Sequence, residues 1–530
     1  MDARSIILEG KAVLGIEFGS TRIKAVLVDD ENRPIAQGSH TWENQLVDGL
    51  WTYSLEAIWF GLQDCYRDLT EDVHRRYEVD IENLAAIGIS AMMHGYMPFD
   101  KEGKMLAAFR TWRNTNTGKA AAELSKLFNY NIPLRWSISH LYEAILDKEP
   151  HVGEVDFFTT LAGYIHWQLT GEKVIGIGDA SGMLPVDPAT KNYDATMVGK
   201  FNVLAASKGF NHKLEDILPK IKVAGEQAGV LTQDGANRLD ISGKLKGGIP
   251  VCPPEGDAGT GMVATNAVRQ RTGNVSAGTS SFSMIVLEKE LSRPYEAIDM
   301  VTTPDGSLVA MVHCNNCTSD LNAWVGMFAE FAGLLGDKRD IGEIYGILYN
   351  HALTGDKDCG GLVSYNYFSG EPVMGLDEGA PLFVRTVKDR FNLANFVRAG
   401  INAAVAVLKV GNDILFNDEH VKVDRITGHG GLFKTPGVGQ RILASALNTP
   451  ISVMETAGEG GAWGMALLAS FMVNNPDSRK LDNWLDNVVF AGNTGTEIAP
   501  TQEEVEGFNK YIANYIKCLP VEKTAVECKY

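Results

Sequence analysis

Pro254-Glu255-Gly256-Asp257-Ala258-Gly259-Thr260-Gly261, followed shortly by Gly273-Asn274-Val275-Ser276-Ala277-Gly278-Thr279-Ser280-Ser281, is the stretch on which the reading of this chain turns. In its first part a lone carboxylate, Asp257, stands among residues too small to cover it, so backbone and ligand can both approach it closely. A proton acceptor kept open to a substrate needs such surroundings. The second part reads as strand, tight turn and strand, with Phe282 to Leu287 as the returning strand. In such a turn the backbone N–H groups of Gly278, Thr279 and Ser280 can converge on an anion site suited to phosphate. A base and a phosphate cradle so close together suggest phosphoryl transfer. The plain structural reading of the same residues is a helix start followed by an ordinary hairpin.

Working outward, Lys11 to Asp29 has the same form: an apolar run from Ala12 to Ile16, a turn Glu17-Phe18-Gly19-Ser20-Thr21-Arg22, and an alternating strand from Ile23 to Val28. Two strand-turn-strand units with glycine and hydroxyl residues in their turns, one near the start of each half, read as a structural duplication. Facing each other, they would grip a nucleoside triphosphate from both sides. A second apolar strand, Ala85 to Ile89, leads into Ser90-Ala91-Met92-Met93-His94-Gly95, which puts polar groups beyond a strand end, where α/β sheets bind ligands. His94 there is either a contact to a sugar hydroxyl or a structural residue. Thr111-Trp112-Arg113-Asn114 combines a flat apolar face with guanidinium and amide donors, a mixture that suits a polyhydroxylated ligand, although Trp112 equally suits a core.

Farther along, Asp156 to Thr170 has helical spacing and ends at Gly171, and Gly178 to Met183 reads as a polar loop. Gly247 to Val251 reads as a strand that delivers Asp257 just past its end. In the second half Phe391 to Val410 is a long amphipathic helix and Val421 to Ile426 a strand. That strand runs into Thr427-Gly428-His429-Gly430-Gly431 before a helix from Val438 to Leu447. Ala457 to Gly464 is another glycine-rich segment, entering an apolar helix from Met465 to Phe471.

At 530 residues the chain is too long for one core and should form two domains, 11–268 and 269–520. A formal charge of −18 opposes nucleic-acid or anionic-membrane partners, so the ligand should be small. The N-terminus does not resemble a signal peptide and no apolar run reaches membrane-spanning length, so a cytoplasmic protein is expected. Seven scattered cysteines read as reduced thiols. Cys314-Asn315-Asn316-Cys317 could be half of a metal or redox site, but no second pair accompanies it, and buried thiols are the reading adopted. Oligomeric state is left open, with a homodimer as the candidate.

Taken in order, these motifs resemble the FGGY family of carbohydrate kinases, within the actin-like ATPase superfamily, over about residues 12 to 475; within that family the likeness is to xylulokinases. Gly15-Ile16-Glu17-Phe18-Gly19-Ser20-Thr21-Arg22-Ile23-Lys24 resembles the first phosphate hairpin, and Ser276-Ala277-Gly278-Thr279-Ser280 the second. Met93-His94-Gly95 and Trp112-Arg113-Asn114 resemble two elements of the xylulokinase sugar pocket. Glu255-Gly256-Asp257-Ala258-Gly259 resembles the segment that carries the catalytic base, and Gly428-His429-Gly430-Gly431 the adenosine-binding glycines. Leu169 to Glu172, Asp179 to Gly182 and Ser369-Gly370-Glu371 match further family segments. Three residues depart from the pattern. Glu17 stands where the family usually has Asp, Met92 where xylulokinases usually have Gln, and Asn114 where the sugar-pocket element has Asp.

The resemblance implies an α/β fold of two actin-like ATPase (ribonuclease H-like) domains flanking a cleft, and transfer of a phosphoryl group from ATP to a ketopentose, D-xylulose first and L-ribulose as the alternative. Asp257 would be the base, with Met93, His94, Trp112 and Arg113 at the sugar. Gly19, Ser20, Thr21, Lys24, Gly278, Thr279 and Ser280 would hold phosphates, and Gly430 and Gly431 the adenosine. Magnesium would sit near Glu17 and Asp257. A chaperone-like or non-catalytic ATPase is the reading of another class. It is opposed by the short stretch beyond residue 475 and by the presence of Asp257.

Overall fold

The computed structural model describes residues 1–454, 460–475, 478–492 and 495–528. It forms two compact units, and each is discontinuous in sequence. The first takes Met1–Val268, Met300–Val309 and residues within 459–491; the second takes the remainder. The expected division at 268/269 placed everything later in one domain. The return of the chain to the first unit follows from non-local packing.

The first unit is built on a five-stranded sheet. Strand β1 (Val13–Phe18) pairs antiparallel with β2 (Arg22–Val28), which pairs antiparallel with β3 (Pro34–Thr41). On its other side β1 runs parallel to β4 (Ala86–Ala91), and the two-residue β5 (Glu255–Gly256) runs parallel to β4. Because β1 and β4 are apolar along nearly their whole length and buried, the sheet is covered on both faces, as parallel pairing requires. Helix α1 (Leu55–Tyr77), capped by the Ser54 side chain, packs on β2 and β3. The apolar helix within 460–473 packs on β1, β2 and β4. Its closeness needs small residues: a Cβ on Gly15 would lie 2.1 Å from the Ala462 carbonyl oxygen, and one on Gly464 2.0 Å from the Thr260 carbonyl oxygen.

The second unit repeats the plan. Strand β6 (Thr272–Ala277) pairs antiparallel with β7 (Ser281–Val286), which neighbours β8 (Leu308–Cys314). On its other side β6 runs parallel to β9 (Arg425–His429), and β9 runs parallel to β10 (Ile451–Val453). The hairpin followed by a parallel neighbour is thus common to both units, which is the duplication expected from the two turns. The helix Leu393–Asp413, expected from 391 to 410, packs on the helices Ile341–Ala352 and Val438–Leu447. With its continuation to Asp418 it is long and apolar enough to cross a membrane, contrary to the sequence reading, but 78% of that window is buried inside the fold.

Four local expectations change. Phe157–Thr159 forms a short strand against Met97–Phe99, so the helix begins only at Leu161, where the Thr160 hydroxyl accepts from the Gly163 N–H at 3.3 Å. Gly247 to Val251 makes only isolated bridges, Pro250 to Val230 and Val251 to Ile87, because Pro250, Pro253 and Pro254 donate no ladder bonds. The segment read as a polar loop at 178–183 opens with one buried helical turn, Ile177–Ala180. Strand β9 covers 425–429 rather than 421–426. Of the glycine-rich stretch 457–464, residues 457–459 lie outside the described residues.

Candidate active site

Asp257 opens the helix Asp257–Ala264 directly after β5, so the short strand beside β4 fixes where the carboxylate starts. Its Oδ1 accepts from the backbone N–H of Met93 at 3.1 Å, which ties it to the segment beyond β4. Burial pushes its pKa up to about 6, against hydrogen bonds from backbone N–H groups that favour the charged form. A base whose pKa is near neutrality is matched to proton abstraction from a hydroxyl.

Three more carboxyls crowd the same region. Glu17 lies in β1 opposite Lys24 in β2 and beside Ser90 in β4. Its Oε2 is buried without a hydrogen-bond partner. Burial and the charge of Asp257 push Glu17 up to about 8, while Lys24 acts in the opposite sense. Asp179 is 1% exposed; its Oδ2 accepts from the Thr160 hydroxyl at 2.6 Å and its Oδ1 has no partner. Glu255 accepts from the N–H groups of Gly178 at 3.3 Å and Asp179 at 3.0 Å. Burial raises Asp179 to about 7, and burial with the neighbouring Asp179 raises Glu255 to about 8. Burial is the main cause that favours the protonated form of Glu17 and Asp179, and the charge of Asp257 acts in the same direction. Sequence reading gave Asp179 and Glu255 no role, because a family segment marks a position and not a charge.

The residues expected at the sugar divide. His94 is buried with a φ of 71°, and its Nδ1–H donates to the Gly182 carbonyl at 3.1 Å. Met93 lies against Gly256: a Cβ there would come within 2.9 Å of Met93 Cγ. Met93 and His94 are thus brought to Asp257. Trp112 donates from its indole N–H to the Ser20 hydroxyl at 3.1 Å, which links its element to the first turn. Arg113 is exposed, with its guanidinium stacked 3.6 Å from the Trp51 ring centre. Two departures lie inside the fold rather than in a pocket. Met92 is 1% exposed in the hydrophobic core. Asn114 spends its amide on the Trp51 backbone, accepting from N–H at 2.9 Å and donating to the carbonyl at 2.8 Å.

The first turn is pinned at its carbonyls. Gly19 accepts from the Trp42 indole at 2.8 Å, Ser20 from the Tyr53 hydroxyl at 2.6 Å and Thr21 from the Trp42 N–H at 3.1 Å. In the second unit the carbonyl of Thr279 accepts from the Cys317 N–H at 2.9 Å, and that of Gly278 from the Thr318 N–H at 3.0 Å and hydroxyl at 2.7 Å. Holding the carbonyls from behind leaves the other side of each turn to its N–H groups. Gly19 and Gly278 are corrections to the expected cradle: their own N–H groups close the turns, on Arg22 and Ser280 respectively, both at 2.9 Å. At Gly278 a Cβ would meet nothing closer than 4.0 Å, so the space beyond it is open. Gly430 differs: its φ is +101° and a Cβ would lie 2.6 Å from the Ala277 carbonyl oxygen, whereas Gly431 has 3.9 Å of clearance.

A buttress that sequence reading missed supports this turn. Glu371 is fully buried and its carboxylate accepts from the N–H groups of Asn315 and Asn316 at 3.3 and 3.2 Å. It thereby anchors the Cys314-to-Thr318 segment whose amides hold the turn. Both Cys314 and Cys317 are buried thiols with raised pKa values, inert as nucleophiles and as thiolate ligands.

For magnesium, the test is Glu17. A buried, unpartnered carboxylate oxygen held near a second carboxylate fits a divalent cation, which would offset both charges. Among the described residues no group of three metal-ligating side chains exists, so phosphate and water oxygens would complete the shell.

Residues 12–264 match the N-terminal domain model of the FGGY family of carbohydrate kinases, and residues 273–473 the C-terminal domain model. The xylulose kinase of Haemophilus influenzae is 21% identical over 473 residues, 85% of this chain and 89% of that protein. The xylulose kinase of Escherichia coli is 21% identical over 295 residues, 54% of this chain and only 56% of that protein. In structure, a xylulose kinase from Lactobacillus acidophilus superimposes with a TM-score of 0.77 at 18% identity, over 98% of this chain and 99% of that one. With both domain models matched in order across most of its length, the chain belongs to the FGGY family of carbohydrate kinases and is an ATP-dependent phosphotransferase acting on a small-molecule sugar.

Proposed function

We propose that the enzyme transfers the γ-phosphoryl of ATP to the terminal hydroxyl of a ketopentose, converting D-xylulose to D-xylulose 5-phosphate. The observation that carries this reading is Asp257, held by the Met93 N–H beside His94 with its pKa near neutrality. Asp257 accepts the proton of the attacking hydroxyl as the oxygen bonds to phosphorus. Met93 and His94 border the space in which the sugar lies. The Nδ1–H bond to the Gly182 carbonyl fixes the orientation of the His94 ring.

In the first unit the N–H groups of Ser20 and Thr21, with Lys24 adding positive charge, are suited to phosphate; in the second unit those of Thr279 and Ser280 are, and Gly431 lets an adenosine lie against backbone. Magnesium bound by Glu17 and Asp257 would neutralise phosphate charge as the terminal bond breaks. D-Xylulose is favoured over L-ribulose because Met92 and Asn114, which depart from the xylulokinase pattern, are spent on core and backbone. The curated relatives named xylulose kinase agree with this choice. Free thiols suit a cytoplasmic location, and a homodimer is the candidate assembly. ADP release measured across D-xylulose, L-ribulose, D-ribulose, gluconate and glycerol tests the reading. The highest kcat/KM should fall on D-xylulose, and a higher value on any other acceptor rejects the assignment.

A further inference from the structure

We propose that Gly461 is a positioning residue that seats the carboxylate of Glu17, the two acting as a matched pair. A Cβ on Gly461 would lie 1.9 Å from Glu17 Oε2, 2.8 Å from its Cδ and 2.8 Å from Thr260 Oγ1. The volume a methyl group would fill is therefore the volume the longer carboxylate occupies. Backbone geometry gives no other reason for glycine here. Of the two glycines that open the helix, Gly460 has a φ of +71°, where side chains are strained, whereas Gly461 has no such requirement.

Thr260 cannot easily yield in place of Glu17. It is fully buried and its hydroxyl is bonded within the core, to Ser90 at 3.2 Å and to the Asp257 carbonyl at 3.2 Å. Glu17 is held at its backbone by pairing on both sides of β1, so only its side chain can move. The extra methylene at position 17, relative to the aspartate usual in the resembling motif, thus finds its space in the missing side chain at 461. The pair also bears on the centre of the site, because Thr260 lies one helical turn from Asp257 in the same helix.

The test is a cycle of four proteins: wild type, Gly461→Ala, Glu17→Asp, and the double variant. Two readouts are taken, kcat with ATP, magnesium and the preferred ketose, and the melting temperature without nucleotide or metal. Gly461→Ala alone is expected to lower kcat by about tenfold or more, because it displaces the Glu17 carboxylate, and to lower the melting temperature. Combined with Glu17→Asp, the same substitution is expected to cost several-fold less in kcat, and clearly less in melting temperature, than it costs in the wild type, because the contact with the carboxylate is gone and only that with Thr260 remains. Equal losses from Gly461→Ala in both backgrounds would overturn the pairing. The kcat arm rests on the kinase reading proposed above, whereas the melting arm does not, so failure of that reading leaves the pairing decided by melting alone.

Discussion

Asp257 gathers the sharpest expectations at the scale of single residues. Asp257→Asn keeps its size and its bond from Met93 but cannot take a proton, so kcat should fall by roughly 10² or more while ATP still binds. With the carboxyl at about 6, kcat/KM for the ketose should decline as pH falls through 6, since the protonated form cannot act as base. Near-normal turnover of Asp257→Asn would remove Asp257 from the mechanism. The glycines separate by clearance: Gly278→Val and Gly431→Ala project into open space, whereas any side chain at Gly430 meets the Ala277 carbonyl. The first two should weaken ATP binding with the melting temperature nearly kept, and Gly430→Val should lower stability and both ligand affinities together. Isothermal titration beside thermal melts distinguishes these outcomes. Met92→Gln should bury an amide in a dry core and cost about 1–3 kcal/mol, with the ranking of ketoses unchanged. A shifted ranking would show that Met92 bears on the sugar.

At the scale of elements, the second phosphate turn depends on residues far from it in sequence. Glu371→Gln keeps the shape of the buttress but exchanges one acceptor oxygen for an amide that cannot accept from Asn315 or Asn316. That should loosen the 314–318 segment, and through Cys317 and Thr318 the turn itself, so KM for ATP should rise severalfold while sugar binding to the nucleotide-free enzyme holds. An unchanged KM for ATP in a folded variant would show that the segment does not support the turn. The two hairpins were legible in the sequence because their signal is local: apolar runs around a glycine and hydroxyl turn. The buttress was not, because nothing in Cys314-Asn315-Asn316-Cys317 says which carbonyls its amides will meet. That Met92 packs in the core and that Asn114 bonds to the Trp51 backbone were hidden for a related reason. A motif fixes the position of a residue along the chain, and the strand or turn that carries it decides which way the side chain points.

At the scale of the whole molecule, the return of 460–473 to the first unit was equally hidden, since only the fold brings Gly464 to Thr260 and Gly15 to Ala462. The same convergence collects four carboxyls, Asp179 and Glu255 buried and Glu17 and Asp257 half-buried, and makes stability depend on pH with a definite sign. Glu17 and Glu255 at about 8 and Asp179 at about 7 keep protons that an unfolded chain, with carboxyl values near 4, has already lost. Between pH 6.5 and 8 the native state therefore binds more protons than the unfolded one, and stability falls as pH rises. Buried histidines act in the other direction but in a lower window. His140 is lowered to about 3 and His166 and His429 to about 4, so they destabilise the native state only as pH falls below about 6.5. The melting temperature of the ligand-free protein should consequently decline from pH 6.5 to 8, at about 1–2 °C for each kcal/mol lost in a unit of this size. Asp179→Asn removes one of these protons and relieves the charge that raises Glu255, so its decline should be shallower than that of the wild type. Magnesium, by offsetting ionised Glu17, should flatten the alkaline limb as well. A wild-type melting temperature that stays level or rises across this window would show that the carboxyls are ionised in the folded protein without cost, and the protonated cluster around Asp257 would have to be abandoned.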